Sequence, residues 1–176
     1  MRFHALPLDG AWIIEAEPLA DARGTFTRLW CAETFAARGL VASFVQANLS
    51  TNARAGTLRG LHWQEPPHAE AKLVRCLSGR IHAVIVDLRP GSATRRRWHA
   101  VELSAGDGRQ LYVPEGFAHG FQTLTDGVEV SYLVSAAHAP AASRGARWDD
   151  PALAIVWPLP VSTISDRDRA WPDLAR

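Results

Sequence analysis

The chain has 176 residues, 47% of them hydrophobic, and its 19 Lys and Arg against 18 Asp and Glu leave a formal charge of +1. That balance gives no long-range attraction toward nucleic acid, and the one basic run, Arg95-Arg96-Arg97 ahead of Trp98, reads as a turn or a solvated strand start. Two cysteines, Cys31 and Cys76, without CxxC spacing argue against a disulfide framework, charge and proline come too early for a secretory leader, and no apolar run approaches the ~20 residues of a membrane span. A single soluble domain over residues 1–176, in a reducing cytoplasm, is the expectation.

Taken in order, the chain opens with two short strands, around Phe3 to Leu6 and Trp12 to Glu17, separated by the turn signal Asp9-Gly10. Arg23 and Gly24 then mark a turn, with Arg23 either aimed at an anion or paired on the surface with Asp21. Cys31 to Gly39 reads as one short helix, Phe35 on its apolar side and Gly39 as its stop. In Phe44 to Ser50, alternation puts Gln46, Asn48 and Ser50 on one polar face, solvated or turned to a ligand. Strand signals follow at short intervals: Leu58 to Gln64, Lys72 to Leu77, Arg80 to Asp87, Trp98 to Leu103, Gln110 to Val113, Gly120 to Leu124 and Val128 to Val134. Turn-rich punctuation and no helices between them predict an all-β antiparallel sandwich or barrel. Beyond Ser135 an Ala- and Pro-rich tail of coil or short helix is expected to lie over the barrel, anchored by Trp148, Ile155 and Trp157.

Two stretches carry chemistry. In Arg59 to Gly79 an extended segment sends Gly60, His62 and Gln64 to one face, and alternation sends Lys72 to the inner side with Val74 and Cys76. A lysine there requires something negative beside it. Taken singly, His62 reads as a satisfied core histidine and Lys72 as an edge-strand charge; the second stretch changes that reading. Gly108 to His119 fits the second motif of the cupin jelly rolls, a glycine, five residues, then PxGxxH, with Pro114 and Gly116 turning the chain and His119 pointing inward. Metal-binding cupins supply an HxH pair in the first motif, whereas this chain has His62-Trp63-Gln64; a metal would need His68 or Glu70 as third ligand.

Over nearly the whole length the sequence resembles the dTDP-4-dehydrorhamnose 3,5-epimerase family, in RGLHWQ (Arg59 to Gln64), Lys72 to Gly79, QLYVPEGFAHGFQTL (Gln110 to Leu124), Tyr132, WDDP (Trp148 to Pro151) and SDRD (Ser165 to Asp168). The resemblance implies a cupin double-stranded β-helix with short peripheral helices and an irregular C-terminal tail. It implies an enzyme without metal or other cofactor, working as a homodimer that exchanges N-terminal strands, on a nucleotide-linked 4-keto-6-deoxyhexose. His62 would be the base, Lys72 the enolate stabiliser, Tyr132 the acid and Asp168 the carboxylate that supports His62, with Asp166 as competitor for that last role. Arg59, Arg23 and His119 would hold the diphosphate or sugar, Gln46 and Asn48 would lie near the nucleoside, and Phe26, His138 and Arg167 complete the substrate contacts, Arg23 acting in the partner's site.

The chain departs from the family at Arg28, His138 and Ser143, where the pattern has an acidic residue, a stacking tyrosine and a glutamate. These departures predict weaker thymidine recognition, with another nucleoside diphosphate or a modified sugar as competitor. The expected reaction converts dTDP-4-dehydro-6-deoxy-D-glucose to dTDP-4-dehydro-L-rhamnose. A 3- or 5-monoepimerase, a keto-isomerase, a metal-dependent cupin dioxygenase or isomerase, and a silent sugar-nucleotide binder are the alternatives.

Overall fold

The computed structural model describes residues 1–174. Its strands are β1 (Arg2–Ala5), β2 (Trp12–Glu15), β3 (Pro18–Asp21), β4 (Gly24–Thr27), β5 (Gln46–Asn52), β6 (Leu58–Gln64) and β7 (Lys72–Ser78). They continue with β8 (Arg80–Asp87), β9 (Trp98–Ser104), β10 (Arg109–Val113), β11 (Phe117–Thr123), β12 (Val128–Val134) and β13 (Ser143–Gly145). Two short helices, α1 (Ala32–Ala36) and α2 (Asp166–Arg169), complete the elements. A six-stranded sheet of order β1-β2-β10-β7-β12-β5 faces a five-stranded sheet of order β13-β6-β11-β8-β9, and all named strand pairs are antiparallel. This is the expected jelly roll.

The two-residue period places three apolar layers. Between the sheets lie Ile13, Val74, Cys76, Ile81, Ala83, Ile85, Leu111, Phe117 and Val130, all buried. The alternate residues of the same strands face outward and are buried too. Leu73 and Tyr112 lie under the α1 segment with Phe35 and Trp30, and Val84 and Val86 lie under the C-terminal tail with Leu153, Ile155 and Trp157. Covering on both faces explains why β8 reads as an almost unbroken apolar run rather than an alternating one.

The tail is steered toward β6 by polar clamps. The buried Gln122 amide donates to Leu159 O at 2.8 Å and accepts from Leu159 N at 3.0 Å, and Leu58 N then donates to Thr163 O at 2.8 Å. These contacts deliver α2 alongside β6, where Ser165 caps its first turn through a 3.1 Å bond from Asp168 N.

Three expectations need correction, and a fourth is extended. The strand read as Phe44 to Ser50 runs Gln46–Asn52, and the one read from Gly120 begins at Phe117, with every residue buried. The tail is not merely coil, because Ser143–Gly145 pairs with β6. The turn at Gly24 is the tip of a separate two-stranded hairpin, β3-β4, whose strand residues are mostly exposed; Leu19 and Phe26 are 70% and 68% accessible.

Candidate active site

The two sheets open at one end into a cavity of about 430 Å³ lined by Arg59, His62, Lys72, His119, Tyr132 and Asp168 among others. A second lobe of about 340 Å³ shares His62, Lys72 and Tyr132 and extends to Gln46, Asn48, His138 and Ser143, with Arg167 at the border of both. The polar face of β5 therefore turns to the cavity rather than to bulk solvent.

A local break in regularity assembles the first wall. On an unbroken strand Arg59 and His62, three positions apart, would point to opposite faces. Gly60 lies between them at φ +118°, and the pairing of β6 with β11 shifts register between His119 and Phe121. A Cβ at Gly60 would come within 2.5 Å of Gly120 Cα, so the close passage of the two strands excludes any side chain there. Arg59 and His62 both reach the cavity as a result, and His62 lies directly opposite His119 across the ladder.

His62 Nε2 stands 2.6 Å from Asp168 Oδ1, whose side chain is only 6% accessible. The other carboxylate oxygen accepts from Gly60 N at 3.2 Å, and Trp171 Nε1 donates to Oδ1 at 3.3 Å. Burial works to raise the Asp168 pKa, but the bonds from His62, Gly60 and Trp171 outweigh it, and the net shift is downward. An ionised Asp168 fixes which ring nitrogen of His62 carries a proton and leaves the other to face the cavity. Asp166, the competing carboxylate, is exposed on the first turn of α2.

Lys72 meets the negative partner that its inward position required: its Nζ lies 3.1 Å from Glu70 Oε1, with both side chains about nine-tenths buried, and 3.5 Å from His62 O. Glu70 was legible in the sequence only as a possible metal ligand. Gln64, the residue in the place of a cupin ligand, is fully committed elsewhere: its amide nitrogen donates to His68 O, Glu70 Oε2 and Ala137 O, and its oxygen accepts from Ala139 N at 2.6 Å. Among the described residues no three His, Cys, Asp or Glu side chains are grouped to hold a metal ion.

Tyr132 stands on β12 in the opposite sheet from His62, so the two reach the cavity from facing walls. Burial raises its pKa, Glu70 adds to the effect, and Arg59 opposes it, so the phenol keeps its proton at neutral pH. His119 is held neutral because burial, then Lys72, then His62 push its pKa well below the usual histidine range. Its Nε2 is buried and has no hydrogen-bond partner among the described residues. Arg59 is braced by Asn52, Nε to Oδ1 at 2.7 Å, and Arg167 by Ser143, Nη2 to Oγ at 3.1 Å; neither forms a carboxylate pair among the described residues. Gln46 Nε2 bonds Asn48 Oδ1 at 2.8 Å, and Gln46 Oε1 accepts from the backbone of the exposed His138 at 3.3 Å.

Two of the expected substrate contacts are not assembled with the rest in this chain. Arg23 is 91% accessible and folds back on Asp21 at 2.6 Å, the surface pair that its spacing allowed. Phe26 borders a different depression with Met1, Glu17, Leu19 and Arg28. Sequence reasoning missed Asn52, Trp171 and the pairing role of Glu70; the inward lysine was the signal for Glu70, and nothing local marked the other two.

A carboxylate-bonded histidine facing a phenol, a paired lysine and two arginines without carboxylate partners among the described residues suit proton transfer next to a carbonyl in an anionic substrate. The comparisons agree. The family model for dTDP-4-dehydrorhamnose 3,5-epimerase matches residues 5–176. The dTDP-4-dehydrorhamnose 3,5-epimerase of Sinorhizobium fredii is 41% identical, over 99% of this chain and 90% of its own, and that of Methanothermobacter thermautotrophicus is 44% identical, over 98% and 94%. The crystal structure of the enzyme from Bacillus anthracis, with TDP and PPi bound, superposes with a TM-score of 0.94 at 41% identity, covering 98% of this chain and 99% of that one. With the family model, the sequence identities and the fold in agreement over nearly the full length, the chain belongs to the dTDP-4-dehydrorhamnose 3,5-epimerase family.

Proposed function

We propose that this protein inverts the stereocentres at carbons 3 and 5 of dTDP-4-dehydro-6-deoxy-D-glucose, yielding dTDP-4-dehydro-L-rhamnose. The observation that carries the reading is the placement of His62, bonded to Asp168 at 2.6 Å, and Tyr132 on opposite sheets of one cavity. His62 removes the proton alpha to the ketone, and the electron pair moves into the carbonyl to give an enolate whose oxygen Lys72 stabilises. Tyr132 then delivers a proton to the same carbon from the other face, and solvent restores both groups. General acid–base catalysis of this kind contributes about 10²- to 10⁴-fold, and charge stabilisation in a dry site supplies the larger share.

Arg59 and Arg167 supply the cationic surface for the diphosphate, while Gln46, Asn48 and His138 line the lobe where the nucleoside fits. His119, neutral and with a ring nitrogen that has no partner among the described residues, hydrogen-bonds the sugar. The hairpin β3-β4 buries little against its own chain, and an isolated two-stranded hairpin is marginal in water. We assign it to a second copy, in a homodimer where Arg23 and Phe26 complete the partner's site. Two free thiols suit the reducing cytoplasm.

The test is incubation with the dTDP-linked 4-keto sugar in D2O. Deuterium at both carbon 3 and carbon 5 of a product inverted at both carbons establishes the double epimerisation. Incorporation at one carbon alone would make the protein a monoepimerase, and none at either would overturn the assignment.

A further inference from the structure

The carboxylate bonded to His62 is itself held by a side chain that takes no part in the proton transfers. Trp171 follows α2, and its indole lies flat against β13 at Gly145, the residue directly opposite His62 in the β13-β6 ladder. The fit leaves no room for a side chain: a Cβ on Gly145 would fall 2.3 Å from both Nε1 and Cε2 of the indole. Two residues back on the same face of β13, Ser143 accepts the guanidinium of Arg167, whose Cζ stands 5.1 Å above the Trp171 ring. Ser143 and Gly145 thus form a small template on which Arg167 and Trp171 dock, and the segment between them carries Asp168.

The indole N–H, at 3.3 Å, donates to Oδ1, the same oxygen that faces His62 at 2.6 Å. A donor at that oxygen fixes the rotation of the carboxylate and withdraws part of its capacity to accept from the imidazole. We propose that Trp171 is a positioning residue for the epimerisation: seated on Gly145, it aims the Asp168 oxygen at His62 and limits how strongly that oxygen holds a proton on the base. The other titratable or charged groups lining the two lobes with His62 are Lys72 from β7, His119 from β11, Tyr132 from β12 and Arg167 from α2, Arg59 on its own strand, and Glu70 and His138 from the loops. Trp171→Phe leaves those side chains in the sequence, keeps an aromatic ring on Gly145 and under Arg167, and removes the indole donor.

The activity readouts rest on the epimerase reading, so the first measurement needs no substrate. In Trp171→Phe the NMR titration of the His62 ring is expected to move to higher pH by about half a unit, because an oxygen relieved of one donor binds the imidazolium more tightly. In turnover the acidic limb of the kcat/KM profile should move the same way and kcat should fall about five-fold with KM unchanged, at an unaltered melting temperature. Gly145→Ala, which evicts the indole by another route, should reproduce the titration shift, and Trp171→Phe should have no further effect in an Asp168→Asn background. A His62 titration identical to wild type in both single variants would overturn the proposal. So would an activity loss that follows only the melting temperature. Absence of turnover in the wild type would instead count against the epimerase reading and leave the titration arm decisive for Trp171.

Discussion

Replacing Asp168 by Asn changes one atom and removes one charge, and the geometry around the carboxylate sets the cost. That carboxylate takes three donors, from His62, Gly60 N and Trp171, in a side chain that is 6% accessible. An amide can satisfy only one side of that arrangement. With its oxygen toward His62 and Trp171, its NH2 confronts the Gly60 N–H; flipped, it confronts the indole N–H and forces His62 into the opposite tautomer. Either way the charge-assisted bond is lost, and hydrogen bonds to charged groups contribute about 1.5–3 kcal/mol. At about 1.4 kcal/mol per decade, kcat/KM should fall roughly 10- to 150-fold. Asp166→Ala, on the exposed face of the same helix, should stay within about two-fold of wild type. The assay is the initial rate of solvent deuterium exchange into the 4-keto nucleotide sugar. An Asp168→Asn variant within about three-fold of wild type, or an Asp166→Ala variant that matches its loss, would refute the dyad.

Asp87, fully buried, accepts from Arg89, Ser92 and Thr94, and Asp87→Ala should cost about 3–5 kcal/mol in chemical denaturation, because it deprives the Arg89 cation of its carboxylate and both hydroxyls of their shared acceptor. Burial acts to raise the Asp87 pKa, but these hydrogen bonds outweigh it and the folded value lies below the unfolded one. Its contribution is therefore present above about pH 4 and lost as the pH falls through the folded value; an Asp87→Asn protein with the acid sensitivity of wild type would contradict this. At the nucleoside lobe the exposed His138 offers less ring area than tyrosine, and Ser143 is bonded to Arg167 in place of a carboxylate, so preference for dTDP over UDP in competition binding should be below ten-fold, about 1.4 kcal/mol; a larger ratio would make both departures neutral. Prolonged dialysis against a chelator should leave the exchange rate unchanged, since Gln64 and Glu70 are committed to other partners; loss of activity restored by a divalent metal would reinstate a metal-dependent reading.

How far the sequence could be read depended on where each residue's partners lie. β6, β8 and β12 matched expectation residue for residue because alternation and turn residues are local signals. The inward Lys72 was legible as an anomaly that required a negative partner, but not which one; the structure supplies Glu70. By contrast, the hairpin β3-β4 buries little within the chain, so its strands carry no alternation to read. The four-residue α2 is too short for a helical period, and its place beside β6 comes from clamps at Gln122 and Leu58 that lie far away in the sequence. Arg59 and His62 share a cavity only because Gly60 breaks the strand's regularity, and a single glycine in a strand does not announce which way it will turn its neighbours.

The central claim is a division of labour between facing walls: His62 takes protons from one side of the sugar and Tyr132 returns them from the other. The measurement that separates the two is carbon-by-carbon deuterium exchange and product stereochemistry for His62→Ala and Tyr132→Phe in D2O. His62→Ala should lose exchange at carbon 3 and carbon 5 by about 10²- to 10⁴-fold, while Tyr132→Phe should keep exchange better than it keeps inversion. Wild-type exchange in His62→Ala, or exchange and inversion falling in equal measure in Tyr132→Phe, would contradict the account.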